Sequence, residues 1–403
     1  MRTPALLFGS LLALAGCSSN AHLDGSPGDA RDGSTNTNDG ISMTDTIAPM
    51  DTPMGVDIVF HDELPPALDA GDDTSSVTDT GSTTPDTGGT TTDTGSSGCG
   101  TCPAGFTCGA SGYCVNARGI PAFDHVYVIP MENHSLDTII GASAAPFINM
   151  LATQYAYSTN YHAATHPSLP NYLAMVAGDY FGVGCDCQAT GSACNVFTCN
   201  RVIGSCGCPQ TGQHIGDQLD AASLAWRSYG EGMGTACNLS DNGSTHYAAR
   251  HVPFVYFTTL TSDTARCNAR VVDSSMFAAD LAADRNRYSM LTPNLCNDMH
   301  DACGGDAITN GDTWLSMQVP PILARPGFQT GGHDVLFIVW DEESVGLGSH
   351  PMPLLVISPL VRGGTVTNVM YDHYATLATI EDGLGLGRIG NAVGAPVIAD
   401  VWR

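Results

Sequence analysis

A serine held between two prolines is the residue of this chain best suited to covalent chemistry. The sequence T-H-P-S-L-P-N-Y places Pro167 and Pro170 on either side of Ser168. Each proline fixes its own φ and biases the preceding residue away from helix, so a regular helix is expected from Asn171 onward, ending at Gly178. Ser168 is then predicted beside the unpaired N–H groups of a helix start, where anions bind favourably. A serine there can attack phosphorus, but the same octapeptide also fits a proline-rich turn with a capping serine.

Acidic and amide side chains follow two apolar segments that are predicted to be buried strands, residues 123–130 and 334–340. Glu132 and Asn133 follow the first strand, and Asp341 and Glu342 follow the second. Open α/β sheets carry their sites at the carboxyl ends of strands, and oxygen ligands suit a divalent cation. Each acidic end alone is also typical of a solvated strand terminus or a helix cap. Together with the clamped serine, the two ends favour a metal-assisted esterase site.

Four sequence blocks resemble the bacterial phosphoesterase family. Residues 132–137 are similar to its E-N-x-S-[FY]-D motif, with Leu136 in place of the aromatic residue, and residues 160–172 resemble its nucleophile segment. Asp341-Glu342 and the segments 371–374 and 380–386 resemble its later blocks, in the expected order over roughly residues 121 to 390. The family contains secreted acid phosphatases and phosphatidylcholine-type phospholipases C on an alkaline-phosphatase-like fold.

The resemblance implies a role for each matching position. Ser168 would be the nucleophile that is transiently phosphorylated. The implied ligands of a divalent metal ion are Glu132, Asn133, Ser168, Asp341 and Glu342, with Asp298 as a further ligand or as a residue that orients the others. Proton transfer is assigned to histidines, namely His134, His166, His350 and His373, and a purely structural role is the alternative for a lone histidine such as His373 or His300. Phosphate contact is assigned to His300 and Arg250, and a structural salt bridge is the alternative for Arg250.

The resemblance also limits which substrate classes and which metal ions are expected. Residues 344–351 lack the D-H-V-x-x-P block of the phospholipase C branch, with His350 near the position of its arginine, which favours the acid phosphatase branch. We therefore expect hydrolysis of phosphate monoesters on a small-molecule or lipid substrate through a phosphoserine. A phospholipase C-type phosphodiesterase and a binding lipoprotein without catalysis are the alternatives. Oxygen ligands fit Mg²⁺, Ca²⁺ or Mn²⁺, and added histidines admit Zn²⁺.

The front of the chain predicts export. Residues 1–16 have an arginine followed by a short apolar run, as in a signal peptide, and the L-A-G-C sequence ending at Cys17 resembles a bacterial lipobox. Cys17 is therefore expected to carry a lipid anchor that attaches the protein to a membrane outside the cytoplasm. An ordinary secretory signal with an incidental cysteine is the alternative.

Composition predicts a disordered tether over residues 17–97, which are rich in Ser, Thr, Asp and Gly and poor in aromatic residues. The formal net charge is −26 and no lysine occurs in the chain. Because nothing resembles a basic stripe, nucleic-acid binding is excluded as an expected function.

The cysteines fall into three groups once Cys17 is set aside. Four lie in a Gly-rich segment of residues 98–118, which predicts a micro-module with two disulfides, with a zinc site as the alternative. Residues 185–208 contain six, which predict a disulfide-held lid or rim over the cleft. The remaining four are expected to pair among themselves, and they are Cys237, Cys267, Cys296 and Cys303.

Residues 119–403 have the length and the alternation of strand and helix patterns expected of one large α/β domain. Apolar spacing predicts a helix over 213–229, a buried strand over 353–359 and a helix over 376–384. The predicted fold is an alkaline-phosphatase-like three-layer sandwich with a mainly parallel central sheet, a small disulfide-rich module and a disordered N-terminal tether.

Overall fold

The computed structural model describes residues 98–191, 207–344 and 350–403. The strands are β1 (Phe106–Cys108), β2 (Cys114–Asn116), β3 (Val126–Met131), β4 (Ala156–His162), β5 (Trp226–Gly230), β6 (Val271–Asp273), β7 (Tyr288–Thr292), β8 (Val335–Trp340), β9 (Met352–Ile357), β10 (Thr365–Thr367) and β11 (Tyr371–Asp372). The predicted signal peptide, Cys17 and the tether lie outside the described residues, as does the middle of the 185–208 insertion.

The α-helices are α1 (Leu136–Ile139), α2 (Pro146–Gln154), α3 (Ser168–Ala177), α4 (Ile215–Ala221), α5 (Thr258–Thr261), α6 (Thr264–Arg270), α7 (Phe277–Ala282), α8 (Ala307–Leu323) and α9 (His373–Gly383). Short 3₁₀ helices occupy Ala249–His251, Pro253–Tyr256, Ser274–Met276, Pro326–Phe328 and Gly390–Val393. α2 packs against α8, whereas α3 packs against α4 and α9.

One nine-stranded sheet contains β3 to β11, with the strand order β10-β4-β9-β8-β3-β7-β5-β6 and β11 beside β4. β9 runs antiparallel to both of its neighbours, and the other described pairs in this sheet are parallel. Every residue of β3, β8 and β9 is buried, as expected for strands covered on both faces. The predicted α/β class with a mainly parallel sheet is confirmed.

The strand directions determine where the polar residues meet. β4 is antiparallel to β9, which is antiparallel to β8, so β4 runs in the same direction as β8 and β3. The carboxyl ends of these three strands therefore lie at one edge of the sheet. Glu132 follows β3, Asp341 follows β8, and the loop after β4 leads to Ser168.

The helix that carries Ser168 begins earlier than the sequence predicts. α3 starts at Ser168 itself, with Pro167 as its N-cap and Pro170 inside its first turn. The expectation of a start at Asn171 was wrong because the first-turn N–H groups have no partner in the helix, so proline is tolerated there. Gly178 ends the helix as expected, at φ 66° in the left-handed region.

The predicted helix over 213–229 was also wrong in its second half. α4 ends at Ala221, Ser223 takes a positive φ of 57°, and Trp226 begins strand β5. β5 is inserted between β6 and β7, which lie later in the chain. Local apolar spacing fits a helix here, but pairing with distant strands overrides it.

Disulfides hold the small module and several loops. Cys99–Cys108 and Cys102–Cys114 staple the β1–β2 hairpin, so the two-disulfide prediction is confirmed over the zinc alternative. Cys187–Cys208 closes the insertion after α3, and Cys185 is also disulfide-bonded. The last four cysteines pair as Cys237–Cys267 and Cys296–Cys303. Within the described residues, no helix is both long and apolar enough to cross a bilayer.

Candidate active site

Ser168 and Glu132 meet at the start of α3. The Ser168 hydroxyl donates to Glu132 Oε2 at 3.1 Å, and Ser168 also interacts with Asp341. Glu132 has no exposed surface and Ser168 is 4% exposed. The sequence-based hypothesis requires the serine and the two carboxylates to lie together, and the structure places them together.

Asp341 and Asn133 link the ends of β8 and β3. The Asn133 backbone N–H donates to Asp341 Oδ1 at 3.1 Å, and Asn133 takes a φ of 55°. Asparagine tolerates this left-handed conformation better than most residues. The turn therefore brings the main chain after Glu132 against the Asp341 carboxylate.

Glu342, which follows Asp341, contacts His166 and Asn171. Glu342 Oε2 is 2.9 Å from His166 Nδ1 and accepts from Asn171 Nδ2 at 3.2 Å. The second nitrogen of His166, Nε2, lies 3.3 Å from Glu343 Oε2. Asn171 Oδ1 accepts the backbone N–H groups of Ala164 and Thr165 at 3.0 Å each, which fixes the loop before α3.

Burial and mutual repulsion shape the charges of this cluster. Burial, together with the neighbouring carboxylates, raises the pKa of Glu132 and of Asp341 well above the ordinary range. Burial also raises the pKa of Glu342, against the opposing effect of His166. Burial alone would lower the pKa of His166, but hydrogen bonds with Glu342 and Glu343 outweigh it and raise that pKa to about 10. His166 is therefore a cation that is held by two carboxylates.

The cluster fits a divalent cation at the predicted position. Asp341 Oδ2 is buried and makes no hydrogen bond with the described part of the chain. The raised pKa values of Glu132 and Asp341 reflect the cost of burying carboxylates beside one another, a cost that a bound cation would offset. Carboxylate, amide and hydroxyl oxygens are the ligands that such ions prefer.

Two of the predicted proton-transfer histidines are engaged within the protein. His373 is fully buried; its Nε2 donates to the Asp341 carbonyl oxygen at 2.7 Å, and Tyr161 OH donates to its Nδ1 at 2.9 Å. Burial lowers the pKa of His373 to about 4, so the ring is neutral near pH 7. Both ring nitrogens of His373 are hydrogen-bonded and the residue supports the main chain of Asp341, which fits the structural alternative for this histidine; its proton-transfer role stays a prediction. The two ring nitrogens of His166 likewise face carboxylates, those of Glu342 and Glu343.

The remaining predicted histidines lie elsewhere around the cluster. His134 Nδ1 is 2.9 Å from the Glu132 carbonyl oxygen, which fixes the half-buried ring next to that residue. His300 is half-buried and its Nδ1 pairs with Asp301 Oδ1 at 2.7 Å. His350 is exposed and directly follows residues 345–349, which are outside the described part of the chain. The catalytic roles of these three residues stay predictions.

Arg250 and Asp186 lie near the amino end of α3. Asp186 Oδ1 accepts the Leu169 N–H at 3.0 Å and so caps the helix that carries Ser168. Arg250 interacts electrostatically with Asp186 and Glu132, and its Nη1 is 3.9 Å from Asp241 Oδ2. Arg250 therefore contributes positive charge to the surroundings of Asp186 and Glu132, while the contact with Asp241 keeps the salt-bridge alternative open.

Asp298 does not join the serine directly. It lies behind Glu132, where His251 contacts both residues, with Nε2 at 3.1 Å from Glu132 Oε1 and Nδ1 at 3.0 Å from Asp298 Oδ2. These three side chains form a second group of possible metal ligands, with ligand atoms within 4.8 Å of one another. Sequence reasoning missed His251, Asp186 and Glu343. The one sequence feature that pointed to His251 was its position next to Arg250, which was predicted to contact phosphate.

Comparisons with known proteins show which family the chain belongs to. Residues 142–387 match the Phosphoesterase family. A phosphatidylinositol-3-phosphatase of Mycobacterium tuberculosis is 32% identical over 292 residues, which cover 71% of this chain and 85% of that protein. A probable acid phosphatase of Kluyveromyces lactis is 27% identical over 70% of this chain and 62% of its own length. An acid phosphatase of Aspergillus fumigatus is 27% identical over 68% of this chain and 58% of its own length. The chain therefore spans about three fifths of the length of these two fungal relatives.

Among solved structures, a protein in the alkaline phosphatase superfamily from Vibrio parahaemolyticus aligns with a TM-score of 0.46 at 12% identity, over 70% of this chain and 73% of its own. The family match covers more than half of the chain, and the mycobacterial relative exceeds 30% identity over more than two thirds of it. The chain therefore belongs to the phosphoesterase family and is a phosphoester hydrolase.

Proposed function

We propose that the protein hydrolyses phosphate monoesters through a phosphoserine formed on Ser168. The observation that carries this proposal is the position of the Ser168 hydroxyl, at the first residue of α3 and 3.1 Å from Glu132. A helix start favours an anionic phosphate. The surrounding oxygen atoms favour a cation that lowers the charge on the phosphoryl group.

The proposed ligands of this ion are Glu132, Asn133, Ser168, Asp341 and Glu342. When bound, a divalent ion would lower the pKa of the serine hydroxyl and neutralise charge on the phosphoryl oxygens. Mg²⁺, Ca²⁺, Mn²⁺ and Zn²⁺ are all compatible with these side chains. His166 holds Glu342 in place, and His373 holds the main chain of Asp341. Arg250 contributes positive charge near the amino end of α3.

We assign protonation of the leaving oxygen to His300. Its Nδ1 pairs with Asp301 Oδ1 at 2.7 Å, and its ring lies 5.8 Å from the ring of His251, which contacts Glu132. His166 and His373 are less suited to this task, since His166 lies between the Glu342 and Glu343 carboxylates and both nitrogens of His373 are hydrogen-bonded within the protein. Ser168 would attack phosphorus, the alcohol would leave with a proton from His300, and water would then release phosphate from the serine.

Acid phosphatases and a phosphatidylinositol-3-phosphatase among the relatives support a monoester substrate, on a small molecule or a lipid headgroup. A phospholipase C-type phosphodiesterase is the second candidate. The pocket would then have to admit another substituent on phosphorus. The serine and carboxylates argue against a binding protein without catalysis.

The decisive experiment is replacement of the nucleophile. Ser168→Ala should lower kcat for 4-nitrophenyl phosphate by more than about 10³-fold, and acid-quenched turnover of a ³²P-labelled monoester should label the parent but not the variant. Ser228→Ala removes a buried hydroxyl in β5 and should retain parental activity. Turnover by Ser168→Ala at the parental rate would rule out the proposal. Faster cleavage of a bis-aryl diester than of the monoester would favour the phosphodiesterase.

We also propose that the protein is exported and anchored through lipid on Cys17. Disulfides in three separate regions of the described chain support an oxidising compartment. Cys17→Ala should move the protein from the membrane to the soluble fraction of a bacterial host. Unchanged membrane association would contradict the anchor.

A further inference from the structure

A buried chain of contacts supports the carboxylate that faces Ser168. Glu132 uses Oε2 to accept from Ser168, while Oε1 accepts from Tyr172 OH at 2.7 Å and lies 3.1 Å from His251 Nε2. The Tyr172 and His251 rings are stacked at 5.0 Å with only 3° between their planes. Tyr172 and His251 therefore orient Glu132 through Oε1, whereas Ser168 contacts the other carboxylate oxygen, Oε2.

Asp298 fixes the far side of His251. Its Oδ2 is 3.0 Å from His251 Nδ1, and its Oδ1 accepts the His300 backbone N–H at 2.8 Å. The Asp298 carbonyl oxygen also accepts the Glu132 N–H at 2.8 Å. Glu132, His251 and Asp298 are each at most 1% exposed, so water does not compete for these contacts. Asp298 thus contacts Glu132 both through its main chain and through the imidazole.

A short disulfide loop carries Asp298. Cys296 and Cys303 are bonded with a sequence separation of 7, and the loop between them contains Asp298 and His300. Met299, in the middle of this loop, takes a positive φ of 81°. Closing such a short loop restricts the conformations that Asp298 can reach.

We propose that His251 and Asp298 are positioning residues for Glu132, and that the Cys296–Cys303 disulfide makes their position depend on the thiol redox state. This inference rests on the proposed function of Ser168. A dithiol reductant would supply two electrons and two protons to the disulfide. Two protein thiols would form and the dithiol would become a cyclic disulfide. The loop would then be free to move Asp298 away from His251, and Glu132 would lose its fixed orientation.

A cation held by Glu132, His251 and Asp298 is the competing explanation, because these atoms are close enough to share an ion. The contacts favour positioning. Glu132 Oε1 accepts from Tyr172 OH, and His251 Nδ1 is hydrogen-bonded to Asp298 Oδ2 at 3.0 Å; a cation shared by these atoms would have to displace both bonds. His251 Nε2, 3.1 Å from Glu132 Oε1, makes no hydrogen bond within the described residues, so a metal measurement is needed. Comparing bound metal in the parent and in His251→Gln tests this point. Equal molar ratios support positioning, and one equivalent fewer in the variant would overturn it.

The first test compares two disulfides in the full-length protein. Cys296→Ser/Cys303→Ser should lower kcat by about 10- to 100-fold with little change in KM, since loss of a group that orients a ligand costs about that much. Cys237→Ser/Cys267→Ser removes a disulfide that joins other elements and should keep the parental kcat. Circular dichroism below the melting temperature checks that both variants are folded. An equal loss in both pairs, or none in the first, would refute redox dependence.

The second test addresses the side chains. His251→Ala and Asp298→Ala should each lower kcat about 10- to 100-fold, and His251→Gln, which keeps an N–H donor, should recover part of the loss. A rise in KM without a fall in kcat would count against a positioning role. If Ser168→Ala is inactive while the His251 and Asp298 variants turn over like the parent, only this inference fails. If Ser168→Ala stays active, the proposed function fails as well.

Discussion

At the residue scale, the histidines near Ser168 divide into those that hold carboxylates and those that can face a substrate. His166 contacts Glu342 and Glu343 through its two nitrogens, and His251 lies between Glu132 and Asp298. His300 differs because its Nδ1 is paired with Asp301, a residue outside the carboxylate cluster, while its ring lies 5.8 Å from that of His251. The hydrogen-bond and ion-pair partners of each imidazole ring therefore determine whether that histidine is available for proton transfer.

His300→Gln tests the assignment of the proton donor. We expect kcat for an alkyl phosphate to fall about 10²- to 10⁴-fold, and kcat for 4-nitrophenyl phosphate to fall far less, because nitrophenolate leaves without a proton. Steady-state rates over a series of leaving groups measure this difference. His333→Gln is the matched control, since His333 forms a similar pair with Asp124 at 3.2 Å on the surface. Equal losses on all leaving groups would contradict the role of His300.

At the element scale, helix α3 and its two ends position the serine. Pro167 caps the start, Asp186 accepts the Leu169 N–H, and Gly178 ends the helix. The Asn391 N–H donates to the Gly178 carbonyl oxygen at 2.7 Å, so the end of α3 is fixed against the C-terminal segment. Contacts at both ends therefore determine where Ser168 lies relative to Glu132.

Gly178→Ala should destabilise the protein strongly. A Cβ at Gly178 would lie 2.5 Å from the Ile389 carbonyl oxygen, at a φ of +66°. The left-handed conformation costs roughly 1–2 kcal/mol for a non-glycine residue, and the collision adds about 1–3 kcal/mol. Gly141→Ala shares the positive φ, at 87°, but its Cβ meets nothing within 4 Å, so it should show only the smaller cost. Urea unfolding measures both, and equal losses would show that the collision is relieved.

At the scale of the whole molecule, buried carboxyl groups make stability depend on pH. Glu381 lies in α9, outside the site, and its Oε1 accepts the Ile389 N–H at 3.1 Å. Burial raises the pKa of Glu381 to about 8, from an ordinary value of 4.5. The folded state therefore binds a proton that the unfolded state has released between these two values.

Stability should consequently fall as the pH rises from about 4.5 to about 8, by up to about 1.4 kcal/mol per pH unit from this group. Glu381→Gln keeps the shape and an acceptor for Ile389 but cannot ionise, so its free energy of unfolding should vary less over this range. Urea unfolding at several pH values gives both curves. Parallel curves for the parent and the variant would contradict the raised pKa of Glu381.

Metal binding should also stabilise the whole fold. An ion that binds only the folded protein adds about 2.7 kcal/mol at a concentration of 100 Kd, so the melting temperature should rise when Mg²⁺, Ca²⁺, Mn²⁺ or Zn²⁺ is added after chelation. Asp341→Asn should abolish the shift, because Asp341 is a proposed ligand whose buried Oδ2 makes no hydrogen bond within the described residues. Melting curves that no ion moves would argue against the proposed metal site. This readout does not depend on catalysis.

Local sequence determines much of the fold and the composition of the site. The runs 123–130 and 334–340 become β3 and β8 because uninterrupted apolar, β-prone residues suit a strand buried on both faces. Glu132 and Asp341 then follow at the strand ends, where the chain leaves the sheet. The cysteines of residues 98–118 form a two-disulfide module because so short a segment cannot bury a core.

Only the tertiary structure decided which partner each group has. His251 meets Glu132 across 119 positions of sequence, and His373 meets Asp341 across 32, so no local pattern records either contact. The segment 213–229 divides into a helix and a strand because β5 pairs with strands that occur later in the chain. Apolar spacing is a local property, whereas hydrogen-bond partners and burial depend on residues that folding brings together. The sequence alone therefore determined the chemical groups, and the fold determined which of them can act.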